Sequence, residues 1–208
     1  GLSFNANRSD NGAMSIQNAD VTSKSFKARG QLTLGSAKLD AQIHAELSDL
    51  AAISENIAGK ATLTANVSGP ISDLRSQFVA ESPSIIVSGR ELTGILLKLE
   101  GAGPVDQHAV QANVGAVVLG HRLDAQSRFK LEADALNLDI VELDWGALTV
   151  RGQGRLSKAE SEGKFRIEHG NLSQLSPLAG SKLSGKMIAN VDLVKTDNGP
   201  ATLVKIVS

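Results

Sequence analysis

Four histidines, His44, His108, His121 and His169, are the side chains best suited to metal binding or proton transfer. Their spacing supports neither, because no His-x-His or His-x-x-x-His pair occurs. Each is expected at a solvent-facing strand or turn position. The acidic group Asp139, Glu142 and Asp144 ahead of Trp145 has carboxylates for calcium but lacks the oxygen-ligand loop that a calcium site needs, so a solvated strand face is expected. Gly101-Ala102-Gly103-Pro104 and Gly152-Gln153-Gly154 begin a phosphate-loop pattern without completing it. They read as turn or strand glycines. Serines are plentiful, but no Gly-x-Ser-x-Gly elbow is present, and the chain has no cysteine. The sequons Asn7-Arg8-Ser9, Asn66-Val67-Ser68 and Asn171-Leu172-Ser173 are of the kind a Ser/Asn-rich chain produces by chance. A protein without catalytic residues, metal ligands or cofactor is therefore expected.

Composition narrows the partners further. The 208 residues carry 21 Lys and Arg against 22 Asp and Glu, a net charge of −1, which gives no electrostatic reason to bind nucleic acid. Five Phe and one Trp with no Tyr leave little for stacking on bases or sugars, so the 41% hydrophobic content is mostly Ala, Val, Ile and Leu. Apolar runs such as Gly94 to Leu97 and Ala116 to Leu119 fall far short of the roughly 18 residues of a membrane-spanning helix, and no transmembrane segment is expected. A chain that opens at Gly1 without a leader and closes on the apolar run Ala201 to Val207 reads as an interior piece of a longer protein.

The residues that must be positioned are the apolar ones, and their period is two. From Lys38 to Glu46, Leu39, Ala41, Ile43 and Ala45 oppose Lys38, Asp40, Gln42, His44 and Glu46. Lys60–Ser68 and Arg122–Glu132 repeat the pattern. Further strands are expected at Met14–Val21, Lys27–Leu34, Ser76–Ala80, Ser84–Ser88, Glu91–Glu100, Val110–Leu119, Ala135–Glu142, Ala147–Leu156, Gly163–Glu168, Lys186–Val194 and Ala201–Val207. Gly35-Ser36, Gly89-Arg90, Gly120-His121, Trp145-Gly146 and Asn198-Gly199 punctuate them as tight turns, which makes an antiparallel meander. Only Ser48–Ile57, behind a Ser48 cap, and Leu172–Ala179, broken by Pro177, look helical.

An internal repeat is also visible. Sliding the chain by 122 places Met14 on Leu136, Phe26 on Leu148 and Arg29-Gly30-Gln31 on Arg151-Gly152-Gln153. Leu47-Ser48-Asp49-Leu50 then answers Leu172-Ser173-Gln174-Leu175 at an offset drifting to 125, and His44 and His169 fall at similar places. Chance alignment of two alternating sequences is the competing explanation. The repeat units are placed at 13–134 and 135–208, the second incomplete, within one elongated region 1–208. Fourteen strands stacked at about 4.8 Å would extend on the order of 65 Å, and an open sheet of that size is expected to curl with its apolar face inward.

The run Gly59-Lys60-Ala61-Thr62-Leu63-Thr64-Ala65-Asn66-Val67-Ser68-Gly69-Pro70, followed by Ile71-Ser72-Asp73-Leu74-Arg75, resembles the TamB-like proteins of the AsmA-like superfamily. Ser88-Gly89-Arg90-Glu91-Leu92-Thr93-Gly94-Ile95 and Leu136-Asn137-Leu138 continue the resemblance. It implies a β-taco: an all-β, elongated, curled antiparallel sheet with one or two short helices, in a periplasmic protein anchored in the bacterial inner membrane. It further implies a groove carrying phospholipid acyl chains between the membranes, an Omp85-type outer-membrane barrel as partner, and a part in assembly and translocation of outer-membrane proteins such as autotransporters. The groove is then expected to be lined by Leu39, Ile43, Leu63, Val67, Leu123, Phe129, Leu131, Met187 and Val191, the same face that would otherwise form an ordinary sandwich core. Two other classes stand beside this one: a lipid-free β-solenoid or sandwich acting as adhesin or autotransporter passenger, and a module that donates or accepts a strand at its open edge.

Overall fold

The computed structural model describes residues 1–8, 13–104, 107–132, 134–157, 161–196 and 199–207. Its backbone divides into two compact units, Gly1–Gly120 and His121–Ser208. The first contains β1 (Leu2–Arg8), β2 (Met14–Thr22), β3 (Phe26–Leu34), β4 (Lys38–Leu47), β5 (Ile57–Gly59), β6 (Ala61–Pro70), β7 (Leu74–Val87), β8 (Arg90–Gly103) and β9 (Ala109–Val118). Their spatial order is β1-β2-β3-β4-β6-β7-β8-β9, with β5 beside the far end of β7. The second unit contains β10 (His121–Glu132), β11 (Ala135–Trp145), β12 (Leu148–Ser157), β13 (Ser161–His169), β14 (Met187–Thr196) and β15 (Gly199–Val207), paired in chain order. Within each unit the described pairings are antiparallel. The chain is thus nearly all-β, an antiparallel meander as its alternation dictates.

Local chemistry explains where elements depart from the expected bounds. Ser76–Ala80 and Ser84–Ser88 are not two strands but one, β7, which runs through Pro83. Its first part pairs with β6 as far as Glu81, and its last part pairs with β5 from Ile85, so the proline sits where that edge changes partner and no ladder donor is needed. Ser82, buried at the switch, donates its hydroxyl toward Lys60 O at 2.6 Å. The expected helix Ser48–Ile57 contracts to a 3-10 turn, Leu50–Ala52, capped by the Asp49 side chain, which accepts from Ala51 N–H, and Ile57 is already strand. Leu172–Ala179 is a 3-10 turn, Leu172–Leu175, followed by the single-turn helix α1 (Ser176–Ala179). Pro177 lies in the first turn of α1, where a missing N–H costs nothing, and Gly180 at φ 64° ends it.

The tight turns sit one residue away from several expected positions. Val87 pairs with Arg90, which makes Ser88-Gly89 the turn, with φ of 50° and 78°; this is the twist that two-residue hairpins require. Likewise Trp145 pairs with Leu148 around Gly146-Ala147. Asn198 lies outside the described residues.

One register occurs in both units. Gly30 pairs with Ile43 and Gly152 with Phe165; Phe26 pairs with Leu47 and Leu148 with His169. In β2 two residues, 17 and 18, oppose Gln31, and in β11 residues 139 and 140 oppose Gln153, so a β-bulge recurs at the same offset of 122. Asn171 caps the second 3-10 turn by accepting from Ser173 N–H, 122 residues after Asp49 does the same. The offset therefore stays at 122 through the helical turns, and the drift enters between them and β14.

Within each unit the described strands belong to one hydrogen-bonded sheet. Close backbone contacts among the described elements run mainly between hydrogen-bonded neighbours, joined by the first 3-10 turn against β5 and α1 against the second turn. Among the described residues the buried apolar ones are Ala45, Leu74, Val110, Ala116, Ala135, Trp145 and Ala189, four of them alanines. A packed two-layer domain would bury many more large aliphatics.

Candidate functional site

Strand register gathers the alternating apolar residues into rows. In the first unit Ala28, Ala45, Leu63, Ala80, Leu97 and Val114 lie side by side across six strands. Ile43 lies between Gly30 and Ala65, Leu39 between Leu34 and Gly69, and Val67 between Ala41 and Ser76. Leu39, Ile43, Leu63 and Val67 therefore share one face. In the second unit Leu123 opposes Trp145, Phe129 opposes Leu138, Leu131 opposes Leu136, Met187 opposes His169, and Val191 lies between Phe165 and Val204; these five again share one face. None of the nine is fully buried, and Ile43 and Leu131 are 47% and 48% exposed. Each unit thus presents an apolar face on which small residues stand among large ones.

The opposite face is polar, and clefts lie along it among the described residues. Gln31, Gln42, Asn66, Gln77, Glu100 and Gln111 are consecutive partners across six strands, with Gln31 Nε2 donating to Gln42 Oε1 at 2.9 Å. This amide ladder, interrupted by the Glu100 carboxylate, is invisible before register is known. A cleft of about 370 Å³ lies beside it, bordered by Arg29, Gln42, His44 and Asn66. In the second unit a cleft of about 900 Å³ runs past Asn137, Arg155, Glu162, Lys164 and Asp192. Of the nine expected groove residues, Ile43 borders one of these clefts.

The histidines are not the surface set that their scatter suggests. His44 alone fits on the polar face, its Nδ1 3.3 Å from Thr64 Oγ1 and its ring exposed. His121 is half-buried, edge-on to Trp145 with ring centroids 6.3 Å apart. His108 is half-buried against β7. His169, on the apolar face between Leu148 and Met187, is 1% exposed. It occupies the position equivalent to Leu47, not to His44, and the segment after it folds back over the strand end: Gly170 N–H donates to Ala147 O, and Gln174 Oε1 accepts from Ala147 N–H. Asn171 N–H donates to His169 Nδ1 at 3.2 Å, so the neutral ring carries its proton on Nε2, which has no hydrogen-bond partner. Burial holds the His169 pKa below the ordinary imidazole value.

Of the acidic residues near Trp145, Glu142 and Asp144 are held in surface pairs, with Arg151 3.8 Å from Glu142 and 3.5 Å from Asp144 and Gln126 donating to Glu142, while Asp139 is exposed. No group of three or more His, Asp or Glu among the described residues is placed to hold a metal ion, and no described helix is long and apolar enough to cross a membrane. Gly152 and Gly154 are strand residues, and the Phe165 ring lies against Gly152 where a side chain would stand. No family model, no curated protein and no solved structure matches the chain.

Proposed function

We propose that the chain is a stretch of a TamB-like periplasmic bridging protein whose parent is anchored in the bacterial inner membrane. Its aliphatic face carries phospholipid acyl chains between the inner and outer membranes. The observation that carries this reading is the apolar face itself: in-register apolar rows, most of their members only partly buried, with alanines and glycines interspersed among the leucines. Each acyl methylene removed from water contributes about 0.8 kcal/mol, so a few carbons suffice for retention while contacts without fixed polar partners let the chain slide. Carriage of this kind is stoichiometric. An Omp85-type barrel at the outer membrane and a role in outer-membrane protein assembly and translocation complete the proposal through the resemblance to that family.

A second reading draws on β15, an edge strand with Leu203, Val204, Ile206 and Val207 all more than half exposed. Such an edge can pair with a strand from another chain. Native mass spectrometry with lipid extraction, on the 208-residue chain and its Leu131→Glu variant, separates the two. Phospholipid that accompanies the wild type and is lost from the variant supports carriage. A lipid-free chain that assembles through β15 overturns it.

A further inference from the structure

The first unit holds a serine–histidine pair on its apolar face that no alternation pattern announces. Ser76 of β7 lies between Val67 and Gly101, and His108, immediately ahead of β9, lays its ring over Gly101. Ser76 Oγ is 2.8 Å from His108 Nε2, and His108 Nδ1 is 3.1 Å from Gly103 O. A carbonyl oxygen only accepts, so Nδ1 carries the imidazole proton and donates it to Gly103. Nε2 is then a bare lone pair, and the Ser76 hydroxyl donates to it. A nucleophile bonded to a base, with the base oriented by a third group, is the arrangement that activates serine hydroxyls on unrelated folds. Both residues are half-buried.

Gly101 makes the pair possible. A Cβ there would fall 2.3 Å from His108 Nε2 and 2.4 Å from Ser76 Oγ, in the space the hydrogen bond occupies. The backbone of Gly101 has no need of glycine's conformational freedom, since its φ is not in the left-handed region. The missing side chain serves the pair.

We propose that Ser76 is an acyl acceptor, with His108 as its general base and fatty acyl esters as its substrate class. Ser76 Oγ attacks the ester carbonyl carbon while His108 Nε2 takes the hydroxyl proton. The ester C–O bond then breaks, and the departing alkoxide leaves with that proton from Nε2. Acyl-Ser76 and a free alcohol result, with no oxidant or further reactant. The choice of a fatty acyl group rests on the proposal that the apolar face holds acyl chains; the reactivity of Ser76 does not.

The test uses p-nitrophenyl acetate and p-nitrophenyl octanoate on the whole chain, with intact mass and peptide mapping as readouts. One acetyl group on Ser76 is expected, absent in Ser76→Ala and formed about 100-fold more slowly in His108→Gln and Gly101→Ala. Gly101→Ala retains both reacting side chains and displaces only the ring, and circular dichroism checks that each variant keeps its strands. Acetylation of Ser76 no faster than that of exposed serines such as Ser3 or Ser68, or unaltered by His108→Gln, overturns the proposal. Octanoate is expected to react at least about tenfold faster than acetate, because two retained methylenes already supply that factor. Equal rates for the two esters overturn the fatty acyl assignment while leaving the nucleophile in place.

Discussion

His169 is nearly inaccessible, yet one of its nitrogens is a donor without an acceptor, which is a cost that folding must offset. Its cross-strand neighbours Leu148 and Met187 carry no charge, Asn171 and Gln174 of the overlying segment are neutral amides, and the other titratable ring nearby, His121, stands against Trp145. Nothing among these compensates a positive charge, which is why burial lowers the pKa. The unfolded chain therefore takes up a proton near pH 6.5 that the folded chain refuses. Stability is complete above that pH and falls as pH drops from about 6.5 toward the depressed folded value, by up to about 1.4 kcal/mol per pH unit. Urea unfolding followed by the single Trp, Trp145, should show a lower midpoint at pH 5.5 than at pH 7.5, and His169→Leu should flatten the difference. An unchanged pH dependence in His169→Leu would assign the effect to another group. The sequence hid this residue because strand alternation places His169 on the apolar side only once the bounds of β13 are fixed, and the segment that covers it reads as a loop.

At the scale of strands, the recurring register places a glycine beneath a large side chain in each unit, Gly30 opposite Ile43 and Gly152 opposite Phe165. The two are not equally tight. A Cβ at Gly152 would lie 2.2 Å from Phe165 Cδ1 and 2.7 Å from Lys164 O, whereas at Gly30 the nearest atoms are Gln42 O at 3.1 Å and Ile43 Cγ1 at 3.5 Å. Gly152→Ala should cost about 1–3 kcal/mol through displacement of the ring and backbone, and Gly30→Ala less. In a double-mutant cycle Phe165→Ala should recover part of the Gly152→Ala loss, and additive costs would mean that the ring is not the obstacle. The strands themselves were legible because one face of each is wet, and a wet face writes itself into the chain as period two. What alternation does not carry is which strand residue meets which. Pro83 reads as a break until β5 is seen to take over the edge of β7, Ser88 takes a positive φ because hairpin closure demands it, and the helical spacing of Leu50, Ile53 and Ile57 yields to pairing of Ile57 with Val87. The amide ladder and the Ser76–His108 pair are likewise products of register, since their members stand far apart in sequence.

For the molecule as a whole, the question is how an aliphatic face responds to charge. The nine expected lining residues could be named from sequence because they alternate with polar neighbours, but their shared partial exposure depends on what else packs on that face, which no local pattern encodes. Leu63 and Leu131 sample the two extremes. Leu131 is 48% exposed beside Leu136, so Leu131→Glu can turn its carboxylate to water and should alter unfolding free energy by no more than about 0.5–1 kcal/mol. Leu63 is half-buried between Ala45, itself only 4% exposed, and Ala80, so Leu63→Glu must lift its carboxylate past small neighbours and should cost about 1–2 kcal/mol. In a closed core either carboxylate would be unpaired and dry, at a cost of several kcal/mol, enough to unfold a marginally stable domain. Cooperative thermal unfolding of both variants, with Leu131→Glu near the wild type and Leu63→Glu modestly lower, is the outcome an open face requires. Loss of cooperative unfolding in both would make the face a core and leave no room on it for an acyl chain.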